Sequence, residues 1–147
     1  MREINKIVVH CTDSDDSMDI GAKEIRRWHT DPPPRGNGWS DIGYHYIIRR
    51  DGRLERGRQD NVKGAHVRGH NSDSIGVVWV GRRVASTEQL ICLYGLLRGL
   101  MAKYDLQVFD IYGHTELDSG KTCPNLDMVF IRAQTLFHTG EINVDEI

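Results

Sequence analysis

The chain has 147 residues, 39% hydrophobic and 27% charged, with a net charge of 19 − 21 = −2 when histidine is neutral. That length fits a single domain over 1–147 with one core, and the composition excludes an intrinsically disordered chain. A charge this close to zero excludes bulk attraction to nucleic acid, and strand-sized apolar runs fall far short of the ~20 residues of a membrane span.

In chain order, Lys6-Ile7-Val8-Val9-His10-Cys11 predicts a buried strand with polar residues at its end. Asp19 is placed to cap a helix over 20–30, with Ile25, Trp28 and His29 on one side. The Pro- and Gly-rich stretch 31–38 must be a surface loop. Segments 44–49 and 54–58 flank Asp51-Gly52 and predict a hairpin. The polar stretch 59–74 predicts a loop long enough to be functional. Segment 75–80 is apolar on both faces and predicts a central strand. Ser86 and Gln89 form a capping box before the helical spacing of Leu90, Leu93, Tyr94, Leu97, Leu100, Met101 and Tyr104. A further strand is expected at 107–111, a loop over 112–126, and a last helix capped by Asp127 to about Phe137. The acidic tail, 138–147, is expected to be flexible. Interleaved strands and helices predict an α+β domain, a central mixed β-sheet flanked by α-helices.

Three residues can carry chemistry together. His10 ends the first strand, His114 follows a later one, and Cys123 lies nine residues further on. Imidazole and thiolate suit zinc better than magnesium or calcium. Three protein ligands leave the fourth tetrahedral position open, as in catalytic zinc sites. Spacing alone does not separate such a site from ordinary strand-end and loop histidines, because the two imidazoles stand 114 − 10 = 104 positions apart.

The local contexts do separate them. Val8-Val9-His10-Cys11-Thr12, Trp39-Ser40-Asp41-Ile42-Gly43-Tyr44-His45-Tyr46, Ser74-Ile75-Gly76-Val77, Gly113-His114 and Gly120-Lys121-Thr122-Cys123-Pro124 occur in this order. The chain thereby resembles, over roughly residues 6 to 137, the zinc-dependent N-acetylmuramoyl-L-alanine amidases of the type-2 amidase and peptidoglycan-recognition superfamily. The resemblance implies one Zn²⁺ held by His10, His114 and Cys123 in a cleft at the strand ends, with Tyr44 and Lys121 as the catalytic side chains. It implies hydrolysis of the amide between the lactyl group of N-acetylmuramic acid and L-alanine of the stem peptide. It also places His66 and Asn71 as muropeptide contacts.

Those residue types suit that chemistry. The Lys121 ammonium can stabilise the oxyanion of a tetrahedral intermediate, and Lys121 and Cys123, two residues apart, face one side of an extended segment. Tyr44 can hydrogen-bond the attacking water, hydrogen-bond the oxyanion, or relay a proton to the leaving amine. Cys11 follows His10 directly and so points to the opposite strand face, as a buried small hydrophobe. Cys92 reads as structural, and His29 and His45 as partly buried or core histidines. Five arginines at 49–58 read first as the solvated face and ends of the hairpin, with attraction to an anionic envelope as the functional alternative.

Three cysteines are too few for a disulfide framework, and residues 1–6 form no apolar signal core. The expectation is a monomeric phage or prophage endolysin, made in the host cytoplasm, that acts on peptidoglycan in the periplasm after the inner membrane opens. Its rivals are a muropeptide-recycling amidase, which by resemblance would carry aspartate where this chain has Cys123, and a non-catalytic peptidoglycan-binding module, which would lack the cysteine. A Cys–His nucleophilic hydrolase is a further possibility, disfavoured because a zinc-bound thiolate is a poor nucleophile.

Overall fold

The β-branched run near the start forms β1 (Lys6–Cys11), the strand from which the fold is organised. The computed structural model describes residues 2–147; Met1, the start of the expected domain, lies outside the described residues. The elements that follow are α1 (Ala22–Thr30), β2 (Tyr46–Ile48), β3 (Leu54–Arg56), β4 (Ser74–Trp79), α2 (Thr87–Tyr104), β5 (Ile111–Gly113), α3 (His114–Leu117) and α4 (Met128–Phe137). The strands form one sheet in the order β3-β2-β4-β1-β5, with β2–β3 antiparallel and the other pairs parallel. The mixed sheet of the expected α+β fold is borne out, and 75–80 is indeed central.

Strand alternation divides the core in two. Ile7, Val9, Cys11, Ile75, Val77 and Trp79 pack against Leu93, Leu96, Leu97 and Leu100 of α2 and Ile131 of α4. Ile47, Val78 and Val80 face the other way, toward Ala22 and Ile25 of α1. Ser86 caps α2 as expected: its Oγ accepts from the Gln89 N–H at 3.1 Å, and Gln89 Oε1 accepts from the Ser86 N–H at 2.9 Å. Asp127 Oδ1 accepts from the Val129 and Phe130 N–H groups at the start of α4. Among the described residues no helix is long and apolar enough to cross a membrane.

Three local expectations are corrected by contacts distant in sequence. Asp19 does not cap α1; it pairs with Arg49 at 3.2 Å, and the Ala22 N–H is instead met by Glu55 Oε1 at 2.8 Å. Segment 107–111 is mostly not strand. Asp110 Oδ2 accepts from the Gln107 N–H at 2.9 Å, closing a 3₁₀ turn over Val108–Asp110, so that β5 begins only at Ile111. The tail beyond His138, expected to be flexible, is packed against α2. The Ile142 N–H donates to Gly95 O at 3.0 Å, Val144 is buried, and Lys103 Nζ pairs with Asp145 Oδ1 at 2.7 Å. At Gly99 a Cβ would lie 2.0 Å from Ile142 O, so the small residues of α2 make the groove in which the tail lies. Val144→Ala is therefore expected to lower stability by about 2 kcal/mol, the loss of two buried carbons plus their cavity. Urea denaturation checks this, and a frayed tail would give no change.

The arginines at 49–58 are neither a bare cationic face nor merely solvated. Arg49 pairs with Asp19 and Glu55, Arg53 with Asp51, and Arg56 with the buried Asp60 at 2.6 Å. Arg50 donates to Gln89 Oε1 at 3.0 Å, and Arg58 Nε donates to Ile42 O at 2.6 Å. Apart from Arg53, whose partner Asp51 lies in the same turn, these guanidiniums tie the hairpin to its surroundings.

Candidate metal centre

β1 delivers His10 at its carboxyl end, and β5 ends at Gly113 so that His114 opens α3 beside it. The register Val9↔Gly113 brings the two imidazoles together, closing the sequence gap that made spacing uninformative. Their Nδ1 atoms are 3.2 Å apart, and Cys123 Sγ lies 3.8 Å from His10 Nδ1. All three candidate donor atoms fall within 4.8 Å of one another. Ligand sites outside the carboxyl ends of parallel strands are the rule in open sheets.

Cys123 is held from several sides. Its carbonyl accepts from the Thr115 N–H at 2.8 Å, its Sγ accepts from the Cys11 N–H at 3.1 Å, and Trp79 Nε1 donates to Pro124 O at 3.0 Å. The loop reaches this position because residue 113 is glycine: a Cβ there would lie 2.8 Å from Met128 Cγ and 2.9 Å from Pro124 Cδ.

The donor set fits zinc. Bonds of about 2.05 Å to nitrogen and about 2.3 Å to sulfur at tetrahedral angles separate two nitrogens by about 3.3 Å, and nitrogen from sulfur by about 3.6 Å. The observed 3.2 and 3.8 Å are close to those edges. Electrostatics agree. Burial, then His66 and His114, hold His10 well below the usual imidazole range, which favours the neutral ring that a metal ligand needs. Burial likewise lowers His114, with Asp118 opposing that shift and Lys121 adding to it. Hydrogen bonding with Cys11 and burial raise the Cys123 thiol above its ordinary value. A divalent cation reverses that balance by stabilising the thiolate.

The surrounding residues divide into cleft wall and support. A cleft of about 450 Å³ is lined by Trp39, His66, Arg68, Asn71, His114 and Lys121 among others. Lys121 is exposed on this wall, as its position two residues before Cys123 suggests. Tyr44 is half-buried with its ring centroid 5.2 Å from that of His10; burial, then Cys123 and Cys11, raise its phenol above the ordinary value, so the hydroxyl keeps its hydrogen.

His66 and Asn71 both line the cleft, and both also make contacts within the protein. The His66 ring is buried with Nδ1 on His10 Nε2 at 2.8 Å and Nε2 on Ser74 Oγ at 3.1 Å, so both nitrogens are engaged within the protein. Asn71 Oδ1 accepts from the His66 and Val67 N–H groups at 2.8 and 2.9 Å, shaping the cleft wall. Sequence reasoning missed the part played by Ser74 and gave Trp39 and Arg68 no role at the site; Trp39 and Ser74 stand in quoted motifs, but nothing local marks Arg68.

Cys11 does turn to the α2 side and joins the core, leaving it outside the ligand cluster. His45 is fully buried as expected: its Nδ1 accepts from the Gly76 N–H at 3.0 Å, and burial pulls its pKa down to about 4. Cys92 is half-buried against the core, and burial pushes its thiol up to about 11.

Comparison with known proteins places this geometry in context. The family profile "N-acetylmuramoyl-L-alanine amidase" matches residues 1–126. The endolysin of Enterobacteria phage K11 is 38% identical over 96% of this chain and 90% of its own length. The endolysin of Escherichia phage T7 is also 38% identical, over 83% of this chain and 81% of its own. The solved structure of the N-acetylmuramoyl-L-alanine amidase LysC from Clostridium intestinale URNW superposes with a TM-score of 0.79 at 31% identity, covering 90% of this chain and 85% of that one.

Proposed function

The chain belongs to the N-acetylmuramoyl-L-alanine amidase family and is an amidase of peptidoglycan, and from that premise we propose that it works as a zinc-dependent endolysin with His10, His114 and Cys123 as its metal ligands. The observation that carries the metal reading is the convergence of two imidazole nitrogens and one sulfur within 4.8 Å at the head of a cleft. When bound there, zinc supplies Lewis acidity toward the scissile carbonyl and toward water.

The reaction adds water across the amide that joins the lactyl group of N-acetylmuramic acid to L-alanine. The C–N bond breaks, leaving a carboxylic acid on the sugar and an amine on the peptide. Tyr44, whose phenol is held protonated beside His10, can donate a hydrogen bond to the carbonyl oxygen as charge builds there or relay a proton to the leaving amine. The Lys121 ammonium sits on the cleft wall to meet the same charge. Trp39 and Arg68 offer an aromatic surface and a cation to the muropeptide, and His66 and Asn71 line the same wall within its reach. The endolysin reading, with the cell wall as the place of action, is supported by the two phage relatives.

Elemental analysis of the purified protein is expected to give about one zinc per chain, and mass spectrometry of digested sacculi to find peptides with a new L-alanine amino terminus. Chelation should abolish the reaction, and added zinc should restore it. Full activity after complete metal removal would sink the metal reading. Products cut elsewhere in the stem would sink the assigned bond. Action on soluble muropeptides but not on intact sacculi would assign a recycling role instead.

A further inference from the structure

A carbonyl oxygen can only accept a hydrogen bond, and His70 O ends a chain of such bonds that begins at His10. Ser74 Oγ donates to His70 O at 2.6 Å. A serine hydroxyl has one hydrogen, so toward His66 Nε2, 3.1 Å away, the same oxygen can only accept. His66 Nε2 therefore carries the hydrogen. A neutral imidazole has a single N–H, which leaves His66 Nδ1 as an acceptor. The hydrogen in the 2.8 Å contact between His66 Nδ1 and His10 Nε2 must then belong to His10. With Nε2 protonated, neutral His10 presents a bare lone pair at Nδ1, the atom that faces His114 and Cys123.

We propose that His66 is a positioning residue: with Ser74 and the His70 carbonyl it sets the tautomer and ring orientation of His10, so that Nδ1 is ready to take a metal ion. This rests on the reading of His10, His114 and Cys123 as ligands and goes beyond it in assigning the device that prepares one of them. The ring is built into place. Asn71 Oδ1 holds its backbone N–H at 2.8 Å, and the ring lies flat against β4 because residue 76 is glycine, where a Cβ would stand 2.6 Å from His66 Cγ. Metal-bound histidines commonly have their second nitrogen tied in this manner, and losing the partner typically costs about 10–100-fold in metal affinity.

The test uses the full chain and zinc ion alone. Competition against a chromogenic chelator measures zinc affinity for wild type, His66→Leu and His66→Asn, with melting temperatures recorded alongside. Ring-nitrogen NMR of the zinc-free wild type reads the tautomers directly. The spectrum is expected to show His10 and His66 each protonated on Nε2. His66→Leu removes the acceptor and should bind zinc about 10–100-fold more weakly. His66→Asn places an amide oxygen near the lost Nδ1 and should recover most of that affinity, which a purely space-filling role would not do. His10 protonated on Nδ1, unchanged affinity in His66→Leu, or His66→Asn no better than His66→Leu would each overturn the proposal. Failure of wild type to take up zinc would overturn the ligand reading alone, because the zinc-free spectrum still decides the tautomer.

Discussion

Cys123→Ser is expected to abolish amide hydrolysis and to strip the protein of most of its zinc, while Cys11→Ser keeps both. Serine offers a neutral hydroxyl where the site needs an anionic soft donor, and two imidazoles alone hold zinc poorly. A Lewis acid contributes several kcal/mol to such a reaction, so at about 1.4 kcal/mol per tenfold the rate should fall on the order of 10³-fold or more. The paired variant makes the comparison specific. Cys11 lies beside Cys123: its N–H bonds to Cys123 Sγ at 3.1 Å and its thiol touches the Cys123 thiol, yet its side chain packs in the core on the α2 side and stands outside the donor cluster. Zinc content by elemental analysis and turbidity loss of sacculi check both variants. A zinc-free Cys11→Ser alongside a zinc-loaded Cys123→Ser would reverse the assignment.

Lys121→Ala is expected to stay folded, keep its zinc and bind wall fragments, but to turn over about 10²–10³-fold more slowly. The side chain is exposed on the cleft wall, so its removal disturbs no core contact. Its charge matters only once the carbonyl oxygen becomes anionic. An interaction made only in the transition state lowers kcat and leaves KM little changed. Steady-state kinetics on a soluble muropeptide, with zinc measured on the same sample, distinguish this from an ordinary solvated lysine, which predicts near-normal turnover. Wild-type kcat in zinc-loaded Lys121→Ala would remove the catalytic role.

Much of the fold was legible because the signals were local. A capping box needs only Ser86 and Gln89, three residues apart, and both bonds are present. The hairpin over Asp51-Gly52 and the apolar runs of β1 and β4 likewise depend on neighbours in the chain. Where the reading failed, a distant group had displaced the local one. Glu55, from β3, took the capping role expected of Asp19, and the groove over Gly95 and Gly99 gave the tail a place to pack. The candidate ligand set was legible only as ordered motifs, since no periodicity relates His10 to His114.

By itself, then, the amino-acid sequence determined the single α+β domain, the principal strands and helices, and, through its motifs, the three candidate ligands with Tyr44 and Lys121. These follow from side-chain periodicity, capping chemistry and residue type, which act over a few neighbours. Only the tertiary structure decided where the His66 ring lies. In sequence it is a polar residue in a long loop, fit for a substrate contact. In the fold, glycine at position 76 lets its ring settle against β4, between His10 Nε2 at 2.8 Å and Ser74 Oγ at 3.1 Å. Whether a histidine meets solvent, substrate or another histidine depends on which strands lie side by side, and strand pairing is a property of the packed sheet, not of the residues flanking position 66.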